Sequence, residues 1–162
     1  MTIDDIIDFV TRLDGVLAIR PGPDDGSPAP EIAWGDTFFY YSPDGVVPHA
    51  TQPFATIVTK DYPDDATSRL DSHPDAFRVN IAAGKDAFAN RTGRAPREPA
   101  AEDEPGPSAT DAVIAHPAYG SVGWLAVVNP GPRTDATVRE LLRVAHHVAR
   151  SRYERRTDST TA

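Results

Sequence analysis

The sequence predicts an α+β fold: an antiparallel sheet of five or six strands with N- and C-terminal helices packed on one face. Three observations carry this expectation. Apolar residues recur at helical spacing at both ends of the chain, over 2–13 and 134–154. Short apolar and β-branched runs lie between them, punctuated by Gly, Pro and Asp. A turn at His116–Tyr119 feeds a strand bearing Trp124, Asn129-Pro130-Gly131-Pro132 stops it, and a long amphipathic helix opens at Thr134.

The first helix takes Thr2 as its N-cap, with Asp5 three residues on as an imperfect capping box. Ile3, Ile6, Ile7, Val10 and Leu13 form its buried stripe, Asp4, Asp5 and Asp8 sit near the positive end of its dipole, and Gly15 ends it. Val16–Arg20 reads as a strand and 21–28, rich in Pro, Gly and Asp, as a loop. Glu31–Trp34 and Thr37–Tyr41, joined by Gly35-Asp36, carry a hairpin signal. Four successive aromatics, Phe38 to Tyr41, cannot share a face, so two enter the core and two line the other side. Ser42-Pro43-Asp44-Gly45 is a turn, and Phe54–Thr59 the next strand.

Asp61–Asp65 begins an acidic loop. Phe77, Val79 and Ile81 then alternate inward while Arg78 and Asn80 face the other way. Lys85–Arg91 is a short helix ended by Gly93. The 94–109 stretch, rich in Pro and acids, has no large apolar residue with which to offset its ordering entropy, and reads as a mobile insert. Val122–Val128 is the last strand. In the closing helix, capped by Thr134, the stripe is Val138, Leu141, Leu142, Ala145, Val148 and Ala149. Residues 1–156 are expected to form a single domain, with 157–162 a disordered tail.

Composition narrows the function classes. Sixteen Lys and Arg face twenty-four Asp and Glu, a net charge of −8, which argues against non-specific binding to a phosphate backbone. The basic residues do cluster at the end of the last helix, at Arg150, Arg152, Arg155 and Arg156, where they complement the helix dipole. No cysteine is present, so disulfides and thiolate chemistry are excluded. No apolar run is long enough to span a membrane, and the acidic N-terminus lacks the pattern of a secretory signal. A cytoplasmic protein is the expectation, without a membrane partner.

No catalytic signature is found. Ala83-Gly84-Lys85 lacks the upstream glycine and following hydroxyl of a phosphate loop, and Asp86 would repel phosphate. The histidines, His49, His73, His116, His146 and His147, show no i, i+4 pair, so neither a metal nor a cofactor is implied. The acid pairs Asp24-Asp25 and Asp64-Asp65 read as solvated loop residues in so acidic a chain. Ser42, Ser68 and Ser121 lack the glycines of a nucleophile elbow. The aromatic set of Trp34, Phe38, Phe39, Tyr40, Tyr41, Tyr62, Tyr119 and Trp124 is more informative. Part of it must be core; the rest, with Arg78 and Asn80, can form an apolar pocket with a few polar anchors.

Long runs of the chain resemble a bacterial family of unknown function, number 6194 in the domain-of-unknown-function series. These are Trp34-Gly35-Asp36-Thr37-Phe38-Phe39-Tyr40, Pro53 to Pro63, Phe77 to Ile81, and His116 to Trp124. More distantly, Tyr119, Trp124 and the helix from Thr134 resemble the closing unit of the MmcQ/YjbR-like family, which implies a CyaY-like α+β fold. Some of those relatives have been proposed to bind DNA. They often carry basic residues just before the Trp, where this chain has Val122 and Gly123; with the negative net charge, that departure argues against a nucleic-acid partner.

The leading expectation is therefore a non-catalytic module binding a small molecule or a protein. Its candidate ligand residues are Trp34, Tyr40, Arg78, Asn80, His116, Tyr119 and Trp124, on an exposed sheet face; no residue is assigned as catalytic. Two alternatives stay open: a small enzyme with an acid–base pocket near His116, Tyr119 and Lys85, or nucleic-acid binding through the C-terminal arginines. A free sheet edge would also admit a homodimer.

Overall fold

The computed structural model describes residues 1–24, 26 and 29–161. The 21–28 loop and the Asp24-Asp25 pair thus include positions outside the described residues: Asp25, Ser27 and Pro28. Among the described residues six strands form one sheet: β1 (Val16–Ile19), β2 (Thr37–Tyr41), β3 (Ala55–Val58), β4 (Arg78–Ile81), β5 (Val113–Ala115) and β6 (Leu125–Val128). Their order is β1-β2-β3-β4-β6-β5, and every neighbouring pair is antiparallel. Three α-helices among the described residues accompany them: α1 (Ile3–Thr11), α2 (Lys85–Thr92) and α3 (Asp135–Thr161).

Alternation sorts the strand side chains between two faces. Phe39, Ile57, Val79, Ile81, Leu125 and Val127 point to one side and meet Ile6 and Val10 of α1 with Val138, Leu141, Leu142 and Ala145 of α3. The two terminal helices therefore share one sheet face and one apolar core. Burying each such side chain contributes roughly 2 kcal/mol. Most of the expected stripe residues pack in this core, although Leu13 and Val148 do not and Val144 does. The capping box is complete: Asp5 N–H donates to Thr2 Oγ1 at 3.1 Å, and Thr2 N–H to Asp5 Oδ2 at 2.8 Å.

The opposite face carries a register row of Ile19, Phe38, Thr56, Asn80, Ala126 and Ile114. Beside it lie Val58, Arg78 and Val128. A second, smaller apolar cluster forms there from Val58, Leu70, Ala76, Ile114, Ala126 and Val128.

Several boundaries differ from the sequence reading. No hairpin joins Glu31–Trp34 to Thr37–Tyr41. Pro30 leads in an extended conformation into a 3₁₀ turn at Glu31–Ala33, and β2 pairs with β1 and β3 instead. Gly35 (φ +87°) donates its N–H to Pro21 O, and Asp36 is fully buried instead of capping a solvated turn. The last strand starts at Leu125, because Gly120–Val122 closes a 3₁₀ turn and Gly123 takes φ +95°. α1 ends at Thr11, before Gly15. α3 runs on to Thr161, through positions read from composition as a tail.

Two loop anchors organise the region between α2 and α3. The 94–109 segment has no helix or strand. Its polar groups gather round Arg94, which donates to Glu104 Oε1 at 2.7 Å and Glu98 O at 2.8 Å and lies over the Phe88 ring. Just past the segment, the Asp111 carboxylate accepts from the N–H groups of Gly131, Arg133 and Thr134 and from Thr134 Oγ1. The acid that secures the entry to α3 thus comes from the chain before β5.

Candidate functional site

The face opposite the helices is not bare. The chain segments between β1 and β2, β2 and β3, β3 and β4, and β5 and β6 rise over it and leave a cavity of about 710 Å³. Its floor is Phe38, Tyr40, Thr56, Val58, Arg78 and Asn80 from β2, β3 and β4. Its walls include Pro21, Ile32, Val47, Pro53, Tyr62, His116, Tyr119 and Trp124. Ile32, Val47 and Tyr119 are exposed apolar side chains at this site.

Strand alternation explains the aromatic split. Phe39 and Tyr41 pack with the helix-side core, whereas Phe38 and Tyr40 line the cavity. Of the seven candidate residues, the structure brings six together here: Tyr40, Arg78, Asn80, His116, Tyr119 and Trp124. Trp34 is not among the lining residues. It follows the 3₁₀ turn instead of lying on a strand, and its carbonyl accepts from Lys60 Nζ at 2.9 Å. Lys85 opens α2 and does not line the cavity.

The expected exposed sheet face needs correcting: Arg78 and Asn80 are each only 2% exposed. A buried guanidinium is tolerated only when paired and hydrogen-bonded. Asp65 supplies the charge, bridging Nη1 and Nη2 with its two oxygens. Ser68 Oγ accepts from Nη1 at 2.9 Å, and Asn80 Oδ1 from Nε at 2.7 Å. Asn80 in turn donates to Thr56 Oγ1 at 3.0 Å. Asp65 is therefore not a solvated loop acid. Burial opposes its charge, but the hydrogen bonds and positive charge of Arg78 hold its carboxyl below the usual range.

His116 stands beside this network, 5% exposed. Its Nδ1 lies 3.0 Å from the backbone N–H groups of both Ala118 and Tyr119, and its Nε2 is 3.3 Å from Arg78 Nη2. Burial, then the neighbouring guanidinium, push its pKa down to about 4. Tyr119 packs on the imidazole with ring centres 5.0 Å apart, and Trp124 meets it edge-on at 6.2 Å.

A second buried carboxylate braces one wall. Asp36 accepts from Thr59 N–H and Oγ1, each at 2.9 Å, from Lys60 Nζ at 3.0 Å, and from the Tyr62 hydroxyl. Burial and this carboxylate raise the Tyr62 pKa above its ordinary value, so the phenol stays protonated. Asp61 accepts from the Leu70 and Asp71 N–H groups and ties the next loop down. Sequence reasoning read Asp36 as part of a hairpin turn, Asp65 as a solvated loop acid and Ser68 as a serine without a nucleophile elbow, and placed none of them at the site. The only available signal was that Asp36 and Asp61 fall within runs that carry the family resemblance.

A family model, described as a family of unknown function (DUF6194), matches residues 1–158. The chain belongs to this family. The runs that carried the resemblance, Trp34–Tyr40, Pro53–Pro63, Phe77–Ile81 and His116–Trp124, supply most of the cavity and its buried supports. Neither the curated proteins nor the solved structures contain a match to the chain. Among the described residues, no group of three His, Asp or Glu side chains is placed to hold a metal ion. No helix among them is long and apolar enough to cross a membrane.

Proposed function

We propose that the protein binds a small, largely apolar molecule in the cavity beneath the 3₁₀ turn and Tyr119. The observation that carries this reading is the pairing of an apolar wall with a short polar floor at a volume typical of ligand sites, about 710 Å³. Core packing alone would place large side chains there. Instead the floor holds Arg78, Asn80 and Thr56, linked through Asn80, and leaves space above. A cytoplasmic location fits the cysteine-free composition, and a distant MmcQ/YjbR-like kinship fits two terminal helices on one face of an antiparallel sheet.

The test uses the neutral fluorophore N-phenyl-1-naphthylamine. Wild-type protein should bind it with enhanced, blue-shifted emission. Ala118→Trp, which places an indole at an exposed lining position, should abolish that signal while keeping the wild-type melting transition. Equal probe binding by both proteins would refute the cavity as the site.

One observation favours a second reading, a small enzyme using His116. Its imidazole lies in a concave site with a strongly shifted pKa, a perturbation that clusters at functional sites. Turnover of a bound compound by the wild type, lost in His116→Phe, would distinguish it from a binding module.

A further inference from the structure

The hydrogen-bond arithmetic around His116 leaves one place without an acceptor. A neutral imidazole carries one N–H and accepts at the other nitrogen only. Three donors approach this ring: the Ala118 and Tyr119 amides at Nδ1, each 3.0 Å away, and Arg78 Nη2 at Nε2, 3.3 Å away. Two backbone amides against one longer contact assign the bare nitrogen to Nδ1 and the proton to Nε2. Nε2–H and Arg78 Nη2–H then face each other as two donors. The other four guanidinium N–H groups are taken by Asp65, Ser68 and Asn80. Both side chains line the cavity and both are more than nine-tenths buried. A buried donor without an acceptor is costly, and one oxygen could serve both.

Charge decides the kind of oxygen. Asp65 already neutralises Arg78, Asp64 lines the same cavity, and His116 is uncharged at neutral pH. A carboxylate would bring a second anion to a single guanidinium in a desolvated site. A neutral carbonyl oxygen accepts from both donors without that penalty. We propose that the ligand is an uncharged, mainly apolar molecule whose carbonyl-type oxygen approaches from the cavity and accepts from both Arg78 Nη2 and His116 Nε2, turning the two N–H groups away from each other. This specificity rests on the cavity being a ligand site, as argued above.

Two experiments on the full chain test it. Long-range proton–nitrogen NMR correlation of imidazole-labelled wild-type protein should show His116 protonated at Nε2 and bare at Nδ1; the opposite tautomer would overturn the proposal, whatever ligand binds. The second is displacement of N-phenyl-1-naphthylamine by 2-ethylnaphthalene, 2-acetylnaphthalene and 2-naphthoate. The ketone should bind roughly tenfold tighter than the ethyl compound, the scale of one buried hydrogen bond, and tighter than the carboxylate. His116→Phe should remove the ketone's advantage. If the ketone gains nothing over the hydrocarbon, or naphthoate binds best, carbonyl recognition is wrong although the cavity reading stands. If the fluorophore itself fails to bind, the cavity reading fails, and the tautomer alone decides whether the donor pair exists.

Discussion

The two faces of the sheet are built from the same six strands and end differently. On one, α1 and α3 lay regular apolar stripes against Phe39, Ile57, Val79 and Leu125, and the space is filled. On the other, irregular loops do the covering. A helix repeats its apolar side chains every three or four residues and can tile a sheet; a loop brings them singly, held by its own polar contacts. The loop-covered face therefore keeps a void, and the strand residues beneath it include the polar Thr56, Arg78 and Asn80 beside Phe38, Tyr40 and Val58. One face is filled by helix packing, and the other keeps the space in which the proposed ligand would sit.

The largest expected effect comes from breaking the filled face. Leu142 is fully buried between α3 and the sheet. Leu142→Asp should remove the cooperative melting transition, since an unpaired buried charge costs roughly 5 kcal/mol. A native-like melt in that variant would contradict the packing described here.

A smaller effect should mark the cavity face through pH. The unfolded imidazole titrates near 6.5, whereas folded His116 does so at about 4. Between these values the unfolded chain takes up a proton that the folded chain refuses. Stability from this residue is thus complete above about pH 6.5 and declines as pH falls, by up to about 3 kcal/mol near pH 4. Urea titrations should show this decline in the wild type and a shallower one in His116→Phe. Parallel curves would mean that the ring is not held neutral by its surroundings.

The smallest effect returns to β2. Thr37 Oγ1 is buried without a hydrogen-bond partner among the described residues. Thr37→Val keeps the shape and removes the stranded hydroxyl, so it should raise stability by about 1 kcal/mol, read as a higher urea midpoint. A fall in the midpoint would show that the hydroxyl is in fact satisfied.

The same contrast explains what could be read from the sequence. Periodicity reports local geometry, so most of the α1 and α3 stripes and the inward set Phe77, Val79 and Ile81 were legible, as was the outward placing of Arg78 and Asn80. Alternation also separated Phe38 and Tyr40 from Phe39 and Tyr41. The loops were not legible. Asp65 is 13 residues from Arg78, and Asp36 is 23 from Thr59; an acid in such a segment looks the same whether water or a buried cation will meet it. Gly35-Asp36 resembled a hairpin turn because both residue types suit tight turns. Tertiary donors claimed the Asp36 carboxylate instead, and Trp34 left the site with that turn.

The two anchors on either side of the 94–109 segment have a consequence for engineering. Arg94 fastens the chain as it leaves α2, and Asp111 fastens it again before β5, each through contacts that ignore how many residues lie beyond the last one gripped. Arg94 grips the span itself as far as Glu104, which leaves 105–109 between the two anchors. That stretch is where a peptide tag or reporter could be spliced in with least disturbance to either anchor.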